Sequence, residues 1–287
     1  MKPALFDYHA PASVDEAIAL LARVDGAMIL AGGQSLIPAM NMRLASPAAL
    51  IDIQRIPGLA AISVANGMIS VGAMVRHRQL ELDPAVHKAN PLIREAMAHV
   101  AHVPIRNHGT VVGSLCHADA AAEMPLLLLL LGGSVVARSP AGTRVIPASE
   151  FFAFHMTTTR NPDEMIVEAR FPALPQGAGY AFEEFTRRHG DYAIAAVGVT
   201  LTKAPDGSLA EVALAACGVS SRPVRLTAAE AVLKGRALTK DVLDKAAQAA
   251  AEAVTAEDDI HATAAYRKHL VGVLVKRAVH KAAQRAT

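Results

Sequence analysis

The stretch Ala27-Met28-Ile29-Leu30-Ala31 is short, wholly apolar, and closed by Gly26 on one side and Gly32-Gly33 on the other. An apolar run of this length without polar alternation reads as a strand buried on both faces, as in a parallel sheet. Ahead of it, Ser13-Val14-Asp15-Glu16 has the S-x-x-E form of a capping box, and the apolar residues 17–21 that follow fit a helix ended by Asp25-Gly26. Behind it, a short helix begins near Leu36-Ile37-Pro38, and Leu50-Ile51-Asp52-Ile53 reads as another strand. Residues 1–56 therefore form a small β–α–β–α–β unit.

The pattern then changes. Asn66-Gly67 between Ala61-Ile62-Ser63-Val64-Ala65 and Met68-Ile69-Ser70-Val71 is a hairpin signal, so antiparallel sheet starts there. Residues 91–101 look helical, residues 109–114 form a glycine-punctuated loop, and residues 118–131 read as one apolar helix. Further strands are expected at 134–137, 144–147 and 165–171. Residues 172–179 are dense in proline and glycine, which places a domain boundary there and divides the chain into 1–174 (sub-domains 1–56 and 57–174) and 178–287. Beyond it, three strands (182–187, 193–202, 211–219) precede helices. Thr227-Ala228-Ala229-Glu230 has the form of a second capping box with Gly235 as the residue after the helix, and Leu270, Val271, Leu274, Val275, Ala278 and Val279 make an apolar helical face. The fold class is α+β.

Composition excludes several functions. Lys and Arg number 28 against 26 Asp and Glu, spread along the chain, so no basic stripe points to nucleic acid. The N-terminal residues lack a secretory pattern, which reads as a cytoplasmic protein, and the apolar run at 126–131 is too short to span a bilayer, which needs roughly 20 residues. With 2 cysteines, Cys116 and Cys217, the chain holds neither a disulfide framework nor an iron–sulfur cluster. Its 12 histidines show no metal-ligand spacing.

Two places suit an anion. In Ala31-Gly32-Gly33-Gln34-Ser35, adjacent glycines let backbone N–H groups turn outward, Ser35 adds a hydroxyl, and the following helix start adds partial positive charge. An ordinary strand-to-helix turn fits the same residues. Gly109-Thr110-Val111-Val112-Gly113-Ser114 again offers small residues and hydroxyls ahead of a helix. Asp119, read as one and a half helical turns beyond Ser114, would reach the hydroxyls of a sugar chain; helix capping or a plain surface charge are its other readings.

The segments AGGQSLIPAMNMRLASPAALIDI (31–53) and VPIRNHGTVVGSLCHADAAAEMP (103–125), with Arg187-Arg188-His189-Gly190-Asp191-Tyr192-Ala193 and Asp259-Ile260-His261 followed by Tyr266-Arg267, resemble the FAD-binding medium subunit of bacterial molybdenum hydroxylases. The resemblance implies a two-part FAD-binding domain of the type shared with vanillyl-alcohol oxidase-like flavoproteins, then a three-stranded antiparallel sheet with a helical bundle. It implies that Ala31, Gly32, Gly33, Gln34, Ser35 and Leu36, with Thr110, Val111, Gly113 and Ser114, hold the FAD diphosphate. Asp119 would bind the ribityl chain, and Tyr192 would shield the flavin ring. It further implies partners: a large subunit with a molybdopterin cytosine dinucleotide-type cofactor and a small subunit with 2Fe–2S clusters, assembled as a dimer of heterotrimers. The chain would relay electrons from those clusters to an external acceptor. The overall likeness to quinoline-type medium subunits points to an N-heterocycle as the substrate of the complex. Two residues depart from the family pattern. Val112 replaces a glycine, and since a β-branched residue disfavours positive φ, the second loop is expected to be shaped differently. Met28 replaces a basic residue found in some relatives. A self-sufficient flavoenzyme on the same fold, and an assembly subunit that has lost its flavin, are the competing readings; the first would need a catalytic acid or nucleophile that residues 178–287 do not display.

Overall fold

The computed structural model describes residues 1–287. The chain opens with β1 (Asp7–His9), α1 (Val14–Arg23), β2 (Ala27–Leu30), α2 (Leu36–Asn41) and β3 (Ala49–Asp52). These strands form a parallel sheet in the order β1-β3-β2, with Ile29 opposite Ile51. At the start of α1 the Ser13 hydroxyl accepts from the Glu16 amide at 3.2 Å. The Glu16 carboxylate reaches back to the amide of Ala12, one residue earlier than a strict capping box requires.

A hairpin of β4 (Ile62–Ala65) and β5 (Met68–Gly72) follows, turning at Asn66 and Gly67 with φ of 52° and 70°. Six helices come next: α3 (His77–Leu82), α4 (Pro84–Ala89), α5 (Pro91–Met97), α6 (Val103–His108), α7 (Val111–His117) and α8 (Glu123–Leu130). Then β6 (Ser134–Ser139), β7 (Gly142–Pro147), α9 (Ala148–Phe151), the small hairpin β8 (Phe152–Phe154) with β9 (Thr157–Thr158), and β10 (Met165–Pro172) complete an antiparallel sheet ordered β4-β5-β10-β6-β7.

Three expectations are corrected in this stretch. The helix at 91–101 ends at Met97, and Ala101 turns back with φ of 43°. The loop expected at 109–114 is helical from Val111, because the Thr110 hydroxyl caps the turn by accepting from Gly113 N at 3.1 Å. Val112 accordingly lies in a helix with no positive φ and causes no distortion. The single helix expected at 118–131 is interrupted: Ala118 adopts the left-handed conformation at the end of α7, and α8 starts only at Glu123. Asp119 sits in the turn between them, its carboxylate accepting from Ala121 N at 2.9 Å.

The remainder comprises β11 (Gly179–Phe185), β12 (Ala195–Lys203), β13 (Leu209–Cys217), β14 (Val224–Arg225), α10 (Thr227–Leu233), α11 (Lys240–Ala253) and α12 (Ala264–Arg285). The sheet has four strands where three were expected; the extra one, β14, is two residues long and pairs with Ala215 and Ala216. A strand that short carries no periodicity to read. The second capping box also fails, because Glu230 turns away from its helix start to accept from Leu214 N and bind Arg225.

This sheet is buried on both faces. Val197, Val199 and Leu201 pack on the C-terminal helices, while the alternate residues Phe182, Ala196, Ala215 and Cys217 join the core built around α8. Every residue of α8 is buried. A Cβ on Gly198 would fall 2.7 Å from Leu130 and 2.9 Å from Leu126, so the helix seats in a glycine notch on β12. Glu95 on α5 adds a polar clamp, accepting from Lys281 at 2.8 Å and Arg285 at 2.6 Å on α12. No helix is long and apolar enough to cross a membrane.

Candidate flavin-binding site

The two glycine segments meet through their backbones. A Cβ on Gly32 would lie 2.5 Å from the His108 carbonyl oxygen, 2.8 Å from Gly109 Cα and 2.9 Å from Thr110 N, so only glycine permits this approach. Gly33 has φ of 72°, and its turn leaves the amides of Gly33, Gln34 and Ser35 without an acceptor in the protein. Residues 31–36 are all partly exposed. Gln34 braces the turn by donating to the Gly32 carbonyl at 3.3 Å. Since α2 is six residues long, the free amides supply more of the attraction for an anion than any helix dipole.

Across the contact, Val111 is fully buried and its amide donates to the Val75 carbonyl at 3.0 Å, so this residue shapes the loop by packing. Gly113 is required by the cap, since a Cβ there would lie 2.5 Å from the Thr110 hydroxyl oxygen. Ser114 remains partly exposed on α7.

Beneath the second loop lies His77, which sequence reasoning did not single out. It is 5% exposed, neither ring nitrogen has a hydrogen-bond partner, and its Nδ1 lies 3.0 Å from the position of a Cβ on Gly109. Burial pushes this imidazole down to about 4. In the folded protein it stays neutral, whereas the unfolded chain takes up a proton below about pH 6.5, so its contribution to stability is lost as pH falls from about 6.5 towards 4. Urea unfolding at the two ends of that window should show a loss of about 3 kcal/mol from this group, and His77→Phe should flatten the slope. An equal slope in the variant would assign the acid sensitivity elsewhere.

At Asp119 opens a cleft of about 860 Å³, lined also by Phe154, Arg187, Tyr192, Gly218 and Arg267 among others. Asp119 is 7% exposed with one carboxylate oxygen committed to its turn. Tyr192 is 55% exposed; desolvation, then the charges of Asp119 and Glu123, push its phenol up to about 12, and the Ser35 hydroxyl acts in the opposite direction. Arg267, noted earlier only as part of a C-terminal pattern, forms the rear wall. Its guanidinium donates to the carbonyls of Ile194 (2.7 Å) and Gly218 (2.6 Å) and to Asp259 (2.6 Å). Desolvation works against ionisation of Asp259, but the amides of Ala262 and His261 and the Arg267 guanidinium hold it down at about 2.

Residues 4–174 match the model of the FAD binding domain in molybdopterin dehydrogenase, and residues 180–282 match the CO dehydrogenase flavoprotein C-terminal domain. This chain belongs to the flavin-binding subunits of the molybdopterin dehydrogenases. Relatives in the family include the 6-hydroxypseudooxynicotine dehydrogenase complex subunit alpha of Paenarthrobacter nicotinovorans, 42% identical over 100% of this chain and 97% of that one. The caffeine dehydrogenase subunit beta of Pseudomonas sp. (strain CBB1) is 39% identical over 99% of this chain and 97% of its own. Among solved structures, carbon monoxide dehydrogenase from Hydrogenophaga pseudoflava superposes with a TM-score of 0.97 at 38% identity over 100% of both chains. Quinoline 2-oxidoreductase from Pseudomonas putida 86 gives 0.95 at 38% identity over 99% of both. The mixed helix and sheet fold is thus that of the family's flavoproteins, and the chain is an oxidoreductase component. The residues present fit an FAD: the first loop offers unbonded amides and a hydroxyl for the phosphates, and a carboxylate and an aromatic ring line the cleft.

Proposed function

We propose that this chain is the electron-transfer subunit of a three-subunit molybdenum hydroxylase, holding FAD between residues 1–174 and 178–287. FAD supplies the means to accept electrons singly and pass on one or two. The observation that carries the reading is the pair of abutting glycine segments, with free amides at Gly33, Gln34 and Ser35, beside a cleft that contains Asp119 and Tyr192. Residues 31–36 with Thr110, Gly113 and Ser114 would form the diphosphate cradle, and Val111 would shape it by packing from beneath. Asp119 would accept from ribityl hydroxyls, and Tyr192 would cover the flavin ring. The fold relation to vanillyl-alcohol oxidase-like flavoproteins and a cytoplasmic location belong to the same reading.

With 2 cysteines the chain has no ligand set for an iron–sulfur cluster; its family membership supports electrons coming from a cluster-bearing small subunit and substrate being oxidised on a large molybdenum subunit. A dimer of such heterotrimers is the proposed assembly. An N-heterocyclic substrate for the complex is suggested by the nicotine- and caffeine-type relatives. Acid precipitation of the purified protein should release FAD into the supernatant. Flavin retained in the pellet, or FMN in solution, would sink the assignment.

Tyr192 is expected to govern access to the flavin more than its retention, because ring stacking contributes only about 0.5–1.5 kcal/mol beyond burial. Tyr192→Ala should keep its FAD but change the rate at which external acceptors reoxidise it in stopped flow. An unchanged rate with a lowered melting temperature would leave Tyr192 as a packing residue.

A further inference from the structure

One cluster of buried ionisable groups plays no part in holding the flavin. Glu184 on β11 pairs with Ala196 on β12, which pairs with Cys217 on β13, so these residues form one row across the sheet. Two positions along, Gly198 meets Leu126 and Leu130, in the middle and at the end of α8, so the Glu184 row lies towards the start of that helix, where Glu123 is 5% exposed. The Cys217 thiol lies 3.5 Å from the Ala121 carbonyl, and Gly218 N donates to the Ala120 carbonyl at 2.8 Å, fixing the row against the turn that carries Asp119. On the outer side, Glu184 Oε2 is 3.9 Å from His99 Nδ1, and the His99 side chain is 34% exposed.

Glu184 Oε2 has no hydrogen-bond partner, and its side chain is only 2% exposed. An unpaired buried polar group costs about 1–3 kcal/mol, so an apolar residue would serve packing better. We propose that Glu184 and Glu123 form a proton relay between the half-exposed His99 and the flavin cleft at Asp119. This rests on the flavin reading above. Reduction of FAD consumes two electrons and two protons; the electrons arrive from the cluster-bearing partner, and the protons must come from water. Along the relay, Glu123 passes its proton towards Asp119 and is reprotonated by Glu184. Glu184 takes a proton from the His99 imidazolium, and His99 takes one from solvent, so each group ends as it began.

The protonation states suit that role. Burial, and then the charge of Glu123, push Glu184 up to about 9; burial, and then Asp119, push Glu123 up to about 7. Glu184 therefore holds a proton at neutral pH, and Glu123 is poised to exchange one. Of the other charged groups nearby, His189, Glu183, Glu95 and Lys281 act on His99, and Arg106 opposes the shift at Glu123. The Cys217 thiol, raised by burial, stays protonated throughout.

The test uses the full chain with its flavin. Infrared spectra at neutral pH should contain a protonated carboxyl band that Glu184→Gln removes. When reduced methyl viologen delivers electrons without protons, a pH-indicator dye should report proton uptake slowed roughly tenfold or more in Glu184→Gln, with flavin content unchanged. His99→Ala should slow uptake similarly and recover when imidazole is added to the buffer, which a merely structural role would not produce; this variant decides the matter if Glu184→Gln does not fold. Wild-type uptake in flavin-loaded Glu184→Gln, no carboxyl band in the parent protein, or no rescue of His99→Ala would each overturn the relay. A parent protein purified without any flavin would count against the proposed function itself.

Discussion

Gly32→Ala should strip the protein of flavin and lower its melting temperature by about 5–10 °C, from a cost near the upper end of about 1–3 kcal/mol for an overpacked site in a chain of this size. The atoms a new methyl would strike are the His108 carbonyl oxygen, Gly109 Cα and Thr110 N, all backbone, and none can rotate away. The two segments would have to separate, which removes the site together with the contact. Gly33→Ala is the informative comparison. Its Cβ would meet the flexible side chains of Ile37 at 3.2 Å and Leu30 at 3.4 Å, leaving the positive φ as the main cost, about 1–2 kcal/mol. Flavin-to-protein absorbance ratios should therefore fall further for residue 32 than for residue 33. Full flavin in Gly32→Ala would mean that the cradle does not depend on the contact between the loops.

The second large effect is expected at Arg267. Arg267→Met keeps much of the side chain's length and apolar contact but leaves the carbonyls of Ile194 and Gly218 without their donor and Asp259 without its cation. The Asp259 side chain is 45% exposed and water can hydrate it, so the loss comes chiefly from the two carbonyls and the buried charge site, about 3 kcal/mol in all. Arg267→Lys should rescue little, because one ammonium cannot span three acceptors in a planar fork. The affected backbone leads from Tyr192 into β12, so flavin reoxidation should shift along with the urea midpoint. A stable variant with unaltered reoxidation would show that the rear wall of the cleft is not held by this residue.

Much of the fold could be read locally. Asn66-Gly67 announced its hairpin because both residues tolerate positive φ, and the apolar run ending at Gly32-Gly33 announced a buried strand entering a turn. The family match in the sequence likewise assigned residues 31–36 and 110–114 to one site; the structure brings Gly32 against residues 108–110. What escaped the sequence depended on distant partners. Residues 111–114 read as loop because Val-Val-Gly is a poor helix start, yet the Thr110 cap and the burial of both valines hold a helix there. His77 and Glu184 look like ordinary polar residues until Gly109 and the start of α8 close over them. Arg267 appeared in a motif, but its role as a triple donor exists only after β12 and β13 end beside it. No local pattern records a partner 73 residues away.

The position of α8 also bears on how the protein is made. Its leucines emerge from the ribosome well before β12 and β13, so the first half of the nascent chain can cover only one side of a helix that is apolar all round. Until Gly198 arrives to receive Leu126 and Leu130, that side is open to chaperones and to other unfinished copies. The vulnerable surface during synthesis is thus a single patch of leucines, and it is the later-made sheet that closes it.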